Sequence, residues 1–210
     1  MAKRALLSVW NKTGIVELGR ELERLGYDIL STGGTFRVLE EAGVTVTAVS
    51  EVTGFPEILG GRVKTLHPAI HGGILARRKD GHLSELAAQD IATIDLVVVN
   101  LYPFEKTVAD ADISSEHARG QIDIGGPCML RAAAKNYLRV AALCEPADYQ
   151  GFLAVLKEGH GTTTLQDRFM LARKVFAHTA AYDAAIASYF ASQTPGDIAR
   201  AYQLDNLEEQ

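Results

Sequence analysis

The first half of the chain alternates short apolar runs with amphipathic stretches. Residues 5–10, ALLSVW, form an apolar run of strand length. Residues 14–25 follow as a helix, with Ile15, Val16, Leu18, Leu22 and Leu25 near one face and Gly26 at the cap. The alternation continues with a strand over 27–30, a turn at STGGT, a helix over FRVLEEAG ending at Gly43, and a strand over 45–50. Residues 51–72 are rich in Gly, Pro and His and carry no period, which predicts a long functional loop with one helical turn. GGILA, 72–76, fits a strand, 82–90 a helix, and 94–100, inside IDLVVVNLYPF, the strongest buried strand. A partly helical stretch over 104–120, a DIGGP turn opening a helix through MLRAAAKN, and a strand over 139–144 complete the pattern.

Strands and helices in this order predict an α/β fold, a parallel sheet covered by helices. The loops after the first two strands then lie at the carboxyl edge of the sheet, where open α/β folds bind ligands. The last third is helical. Leu171, Val175, Thr179, Tyr182, Ile186 and Tyr189 or Phe190 mark a stripe at helical spacing between 163 and 190, Thr163 and Gln166 fit a capping box, and the tail DNLEEQ is expected to fray. With no internal repeat and no low-complexity linker, a single domain over 1–210 is expected: a sheet core over 1–145, a helical extension over 146–200 and a tail over 201–210.

Composition narrows the function classes. At 47% hydrophobic and 22% charged, the chain is an ordinary globular one with a sizeable core. Its net charge of -5 argues against a nucleic-acid partner, which calls for a basic surface. It leaves room for a phosphate site, because local Lys and Arg dominate within a Debye length of about 8–10 Å. The two cysteines, Cys128 and Cys144, form no CxxC, which predicts reduced thiols rather than a disulfide framework. The start, MAKRALLSVW, lacks the apolar length of a signal peptide, and no window approaches the roughly 20 apolar residues of a membrane span. A cytoplasmic protein without a membrane partner is expected.

Four segments carry chemistry. In SVWNKTG, Ser8, Asn11, Lys12 and Thr13 cluster just before a helix, a place attractive to phosphate through free N–H groups and the helix dipole; an ordinary polar cap has the same local sequence. In STGGT, Gly33 and Gly34 allow close backbone approach to an anion, and Thr32 and Thr35 add hydroxyls; alone it could equally be a simple turn. Two such loops after neighbouring strands favour one phosphate cradle. In GGRVKTLHP, Arg62 and Lys64 are two apart, on one side of an extended chain, and repel unless an anion or an acid lies between them. In QIDIGGPCMLRAAAKN, Asp123 precedes a Gly-Gly turn, Ile124 and Gly125 offer N–H groups to an oxyanion, and Arg131 and Lys135 share a helix face; the dipole favours this charge order in a merely solvated helix too. His67 and His71 have zinc-compatible helical spacing but no third ligand, so packing is the expected role and no metal is expected.

Taken together, NKTGI, STGGT, GFPEILGGRVKTLHPAIHGGILAR, VVVNLYPF, QIDIGG and LRAAAKN resemble the inosine monophosphate (IMP) cyclohydrolase domains of bifunctional purine biosynthesis proteins, in the family's order from about residue 5 to 190. The resemblance implies a methylglyoxal-synthase-like fold: a parallel sheet with helices on both sides, here with a C-terminal helical extension. It implies a hydrolase-class enzyme run in the dehydrating direction, closing 5-formamidoimidazole-4-carboxamide ribonucleotide (FAICAR) to IMP. It also implies a homodimer, a separate AICAR transformylase as a partner activity, and no cofactor. By resemblance Trp10 to Lys12 and Thr32 to Thr35 hold the 5′-phosphate, while Arg62, Val63, Lys64, Thr65 and Asn100 line the base and its reacting groups. Lys64, Tyr102, Asp123 and Lys135 match the catalytic positions. The family often reads SVSDKTG where this chain has SVWNKTG, so Trp10 replaces a serine and Asn11 an aspartate.

The chemistry fits these residue types. Carboxamide nitrogen and formyl carbon belong to one molecule, so positioning can supply about 7–11 kcal/mol. Attack puts negative charge on the formyl oxygen, where the N–H groups of Ile124 and Gly125 can stabilise it and Lys135 can protonate it. Asp123 can accept the amide proton or orient Lys135, and Lys64 beside Tyr102 can tune the phenol or polarise the carboxamide. Two rivals stand beside this reading. A methylglyoxal synthase shares the cradle but has no use for NLYPF and GGRVKTLHP, and a non-catalytic nucleotide-sensing domain has no use for the four acid–base residues.

Overall fold

A computed structural model describes residues 3–79, 81–109 and 113–208. The chain forms β1 (Lys3–Val9), α1 (Ile15–Arg24), β2 (Tyr27–Ser31), α2 (Gly33–Glu41), β3 (Thr47–Ala48), α3 (Val49–Thr53), α4 (Pro68–Leu75), α5 (His82–Ala88) and β4 (Leu96–Asn100). It continues through α6 (Phe104–Val108), α7 (Ser115–Gly120), α8 (Gly125–Lys135), β5 (Ala141–Leu143), α9 (Tyr149–Glu158), α10 (Leu165–Ser192) and α11 (Pro195–Glu208). These elements group into two compact units, Met1–Leu101 with Gly125–Phe176, and Tyr102–Ile124 with Ala177–Gln210.

The first unit holds the sheet, all parallel, in the order β3-β2-β1-β4-β5. Successive strand residues point to opposite faces. On one face Ala5, Leu7, Val9, Leu96, Val98, Ala141 and Leu143 pack with Ile15, Leu18 and Leu22 of α1 and Phe152, Leu153 and Leu156 of α9. On the other, α8 lies against β4 and α4 against α8, burying Leu6, Val97 and Val99 with Ile70, Ile74, Met129 and Leu130. Covered on both sides, β4 is buried at every position, which is why its sequence is apolar without alternation. The expected α/β fold, a parallel sheet with helices on both sides and a helical C-terminal region, is what the chain adopts. Residues 146–176 belong with the sheet unit, because α9 packs onto α1.

Several local expectations need correction. GGILA is not a strand: it is the second half of α4, started by Pro68 in the first turn and by His67, whose Nδ1 accepts the Ala69 N–H at 3.1 Å. A short apolar run fits either period, and here Ile70 and Ile74, four apart, fill the core. Gly73 permits the packing, since a β-carbon there would lie 2.7 Å from the Ala92 carbonyl oxygen. The loop over 51–72 therefore also holds more helix than expected: α3, a 3-10 turn at Leu59–Gly61 and the start of α4. The strand over 45–50 shrinks to the two residues of β3, because only Leu30 and Ser31 of β2 pair with it.

In the C-terminal region the capping box lies one residue later than expected. Thr164 and Asp167 exchange bonds, with Thr164 N–H to Asp167 Oδ2 at 2.8 Å and Asp167 N–H to Thr164 Oγ1 at 3.2 Å. The same Thr-x-x-Asp device at Thr194 and Asp197 starts α11, which carries the backbone helically through residue 208 where a frayed tail was expected. Within the second unit α7 packs on α11, and Ser115 donates to Gln193 Oε1 at 2.6 Å. No helix among the described residues is long and apolar enough to cross a membrane.

Candidate active site

The strand order reverses between β1 and β4: the chain moves outward through β2 and β3 on one side, then through β4 and β5 on the other. The carboxyl ends of β1 and β4 therefore flank the crevice in which such sheets bind ligands. Ser8 and Asn100 stand there, with Val9 paired to Asn100. Asn100 is buried and fully engaged. Its Oδ1 accepts the Asn11 N–H at 2.7 Å, and its Nδ2 donates to the Asn11 carbonyl at 3.2 Å and the Tyr149 hydroxyl at 3.4 Å. Burial pushes the Tyr149 phenol up to about 12, so it stays neutral. Asn100 thus staples the 10–12 loop to the sheet rather than standing free to line a base.

That loop is held through its backbone. Trp10 N–H donates to the Asn100 carbonyl at 3.4 Å while its side chain is half exposed, and Asn11 Oδ1 accepts from Thr13 N–H at 2.9 Å. The Lys12 ammonium turns inward onto the carbonyls of Val9 and Trp10, and burial lowers its pKa. STGGT is more than a turn: Gly33, with φ 55°, opens α2, so the first N–H groups of that helix face outward unpaired by helix geometry. A β-carbon on Gly34 would lie 3.9 Å from Lys12 Nζ, and one on Gly33 3.7 Å from Lys64 Nζ. Two ammonium groups thus converge on one helix N-terminus.

Lys64 arrives from the 54–65 loop. Ile58 and Val63 bridge as an antiparallel pair, with Gly60 and Gly61 at positive φ closing the bend. Arg62 has φ -65° and ψ -28°, so the chain is not extended there and the two-residue alternation with Lys64 fails; Arg62 is exposed and Lys64 half buried. A β-carbon on Gly61 would lie 3.4 Å from Lys64 Nζ and 3.3 Å from Glu57 Oε2, and Thr32 Oγ1 donates to Glu57 Oε1 at 2.6 Å. Glu57 escaped the sequence reading, although its signal was present: it is the acid that two nearby cations call for. Val63 lies half buried, and Thr65 is buried next to the start of α8, where a β-carbon on Gly125 would come 3.0 Å from Thr65 Oγ1.

Ser8, Lys12, Thr32 to Thr35, Glu57, Lys64, Thr65, Asn100 and Gly125 thus belong to the carboxyl edge of the sheet unit. Lys135 does not join them. It ends α8, ten residues and about 15 Å from Gly125, farther than a lysine side chain spans. Tyr102, Asp123 and Ile124 belong to the second unit, where Tyr102 and Ile124 are 41% and 59% exposed. There Asp123 N–H donates to the Tyr182 hydroxyl at 2.8 Å. His67 spends Nδ1 on its cap, and His71 Nε2 is buried without a partner, its pKa lowered by burial. Both line an open groove of about 560 Å³ with Leu66, Pro68, Cys128 and Arg131. Among the described residues no group of three or more His, Cys, Asp or Glu could hold a metal ion.

Comparison with known proteins now adds a family. Residues 14–128, more than half the chain, match the MGS-like domain family. The chain belongs to it. In this MGS-like protein, residues 133–209 also match the AICARFT/IMPCHase bienzyme family. Proteins named bifunctional purine biosynthesis protein PurH from Chloroflexus aurantiacus and Listeria monocytogenes are each 57% identical, over 93% and 91% of the chain. The chain spans 38% of the length of each. A solved structure titled as that of ForH is 39% identical, with a TM-score of 0.78, covering 90% of this chain and all of its own.

Proposed function

We propose that this chain acts in purine biosynthesis as an IMP cyclohydrolase, closing FAICAR to IMP with loss of water. The observation that carries this reading is the convergence of Lys12 and Lys64 on the open N-terminus of α2 at the reversal of strand order, a place suited to a phosphate dianion. The similarity to PurH proteins over 93% of the chain supports the purine assignment.

In this reading the nucleotide is pinned by its 5′-phosphate on the N–H groups of Gly33, Gly34 and Thr35 and the Lys12 ammonium. Lys64 polarises the carboxamide. Its nitrogen attacks the formyl carbon, the new C–N bond forms as the formyl C=O opens, and Asp123 takes the proton from nitrogen. The Gly125 N–H, at the head of α8, steadies the oxyanion, and Tyr102 supplies a phenol to the same chemistry. Protonation of that oxygen lets it leave as water, and the formamido nitrogen gives up its own proton as its C=N bond forms, so atoms balance without an electron carrier. The same chain's Lys135 is too far along α8 from Gly125 to be the proton donor. The protein acts as a homodimer. The chain is read as a cyclohydrolase domain working in the cytoplasm on FAICAR supplied by an AICAR transformylase activity.

Incubating purified chain with FAICAR and a chelator, and following IMP by its ultraviolet absorbance, tests the reading; no IMP above the uncatalysed rate refutes it. The MGS-like match makes methylglyoxal synthesis the second reading. Phosphate release from dihydroxyacetone phosphate, in place of IMP formation, would establish that one.

A further inference from the structure

We infer that Tyr182 is a positioning residue for the ring closure, anchoring on one α10 side chain both segments that carry the second unit's reacting groups. The inference rests on the proposed function for its catalytic consequence. Its geometry lies within the second unit. The Tyr182 hydroxyl accepts the Asp123 N–H at 2.8 Å, which restrains the backbone from which the Asp123 carboxylate projects. Its ring meets Phe104 edge-on, with centroids 6.3 Å apart and planes at 71°. Phe104 is 1% exposed, also meets Tyr189 edge-on at 5.7 Å, and donates its N–H to the Tyr102 carbonyl at 2.8 Å. Two edge-on contacts and one short turn therefore set where Tyr102 leaves the backbone.

Packing alone has no need of the hydroxyl. A stripe of aromatics along α10 would bury Phe104 equally well with phenylalanine at 182, and the bond to a main-chain N–H beside a carboxylate is what distinguishes the tyrosine. Burial is the main cause of a raised Tyr182 pKa, with Asp123, Asp183 and Tyr102 adding to it and the bond from Asp123 opposing it. The phenol stays protonated, and its oxygen remains an acceptor for Asp123 across the working range of pH.

Tyr182→Phe keeps the ring and removes the oxygen. The Asp123 amide should then exchange with deuterated solvent about three- to tenfold faster, the range one net hydrogen bond spans, while the Leu130 amide of α8 keeps its rate. With sites counted by IMP titration, kcat per site should fall about tenfold and KM stay within about twofold, a split that simple loss of folded protein would not give once sites are counted. Unchanged Asp123 exchange, or unchanged kcat, overturns the inference. A parent chain that makes no IMP refutes the proposed function instead, and the exchange measurement still decides whether Tyr182 holds Asp123.

Discussion

The turn at 31–35 and the loop at 54–65 meet at one hollow, yet they use their polar groups in opposite ways. In the turn nearly every side-chain oxygen is spent on the fold. Ser31 donates to the Leu7 carbonyl at 2.7 Å, and Thr35 Oγ1 both accepts the Val9 N–H at 2.9 Å and donates to the Val9 carbonyl at 3.0 Å. All three hydroxyl residues, 31, 32 and 35, are buried. The loop instead leaves Arg62 exposed and turns Lys64 toward glycines, and its exposed Glu57 reaches back to accept the Thr32 hydroxyl. The difference separates two jobs. On the proposed reading, the turn fixes main-chain N–H groups for an anion, and the loop brings charge to the same hollow.

Three substitutions can break or sharpen that contrast. Lys64→Ala should have the largest effect, lowering turnover about 10²–10³-fold, as loss of one electrostatic donor typically does, with stability changed by less than about 0.5 kcal/mol. A variant that unfolded would make Lys64 part of the scaffold and erase the distinction. Thr35→Val should do the reverse. It leaves the buried Val9 N–H without its hydroxyl acceptor, while Lys12 still holds the Val9 carbonyl, so urea titration should show a loss of about 1–3 kcal/mol. Neutral stability there would mean the turn is not structural. The smallest effect is expected from Glu57→Gln. Its carboxylate holds Thr32 and stands beside Lys64, so it competes with an arriving anion, and calorimetry with inorganic phosphate should give about two- to fivefold tighter binding, the scale of an exposed ion pair. Weaker binding would show that Glu57 organises the hollow instead of guarding it.

What could be read in advance follows from how local each signal is. Strands β1, β2 and β4 and helix α1 are marked by periodicity in their own residues, so they stand where the pattern predicts. GGILA misled because five apolar and glycine residues satisfy both periods, and the burial of Ile70 and Ile74, four apart, decides for helix. The loops at 8–14 and 31–35 were visible as polar clusters between strand and helix. That Asn100 is a staple was not, because its partners Asn11 and Tyr149 lie 89 and 49 residues away. Arg131 and Lys135 do share a helix face, but spacing gives the angle around an axis and says nothing of what that face meets. Arg131 lies over the Phe176 ring at 5.7 Å.

By itself, then, the chain's order of apolar and polar residues determined a parallel α/β sheet and the edge on which to look for a ligand, because hydrophobic period and connection handedness are local properties. Tertiary structure alone decided that Lys12 and Lys64 converge, that Glu57 joins them, that Lys135 stands a helix length away, and that Tyr182 holds Asp123. Those relations depend on distances between residues far apart in the chain, set by how helices pack on the sheet, and no window of sequence contains them.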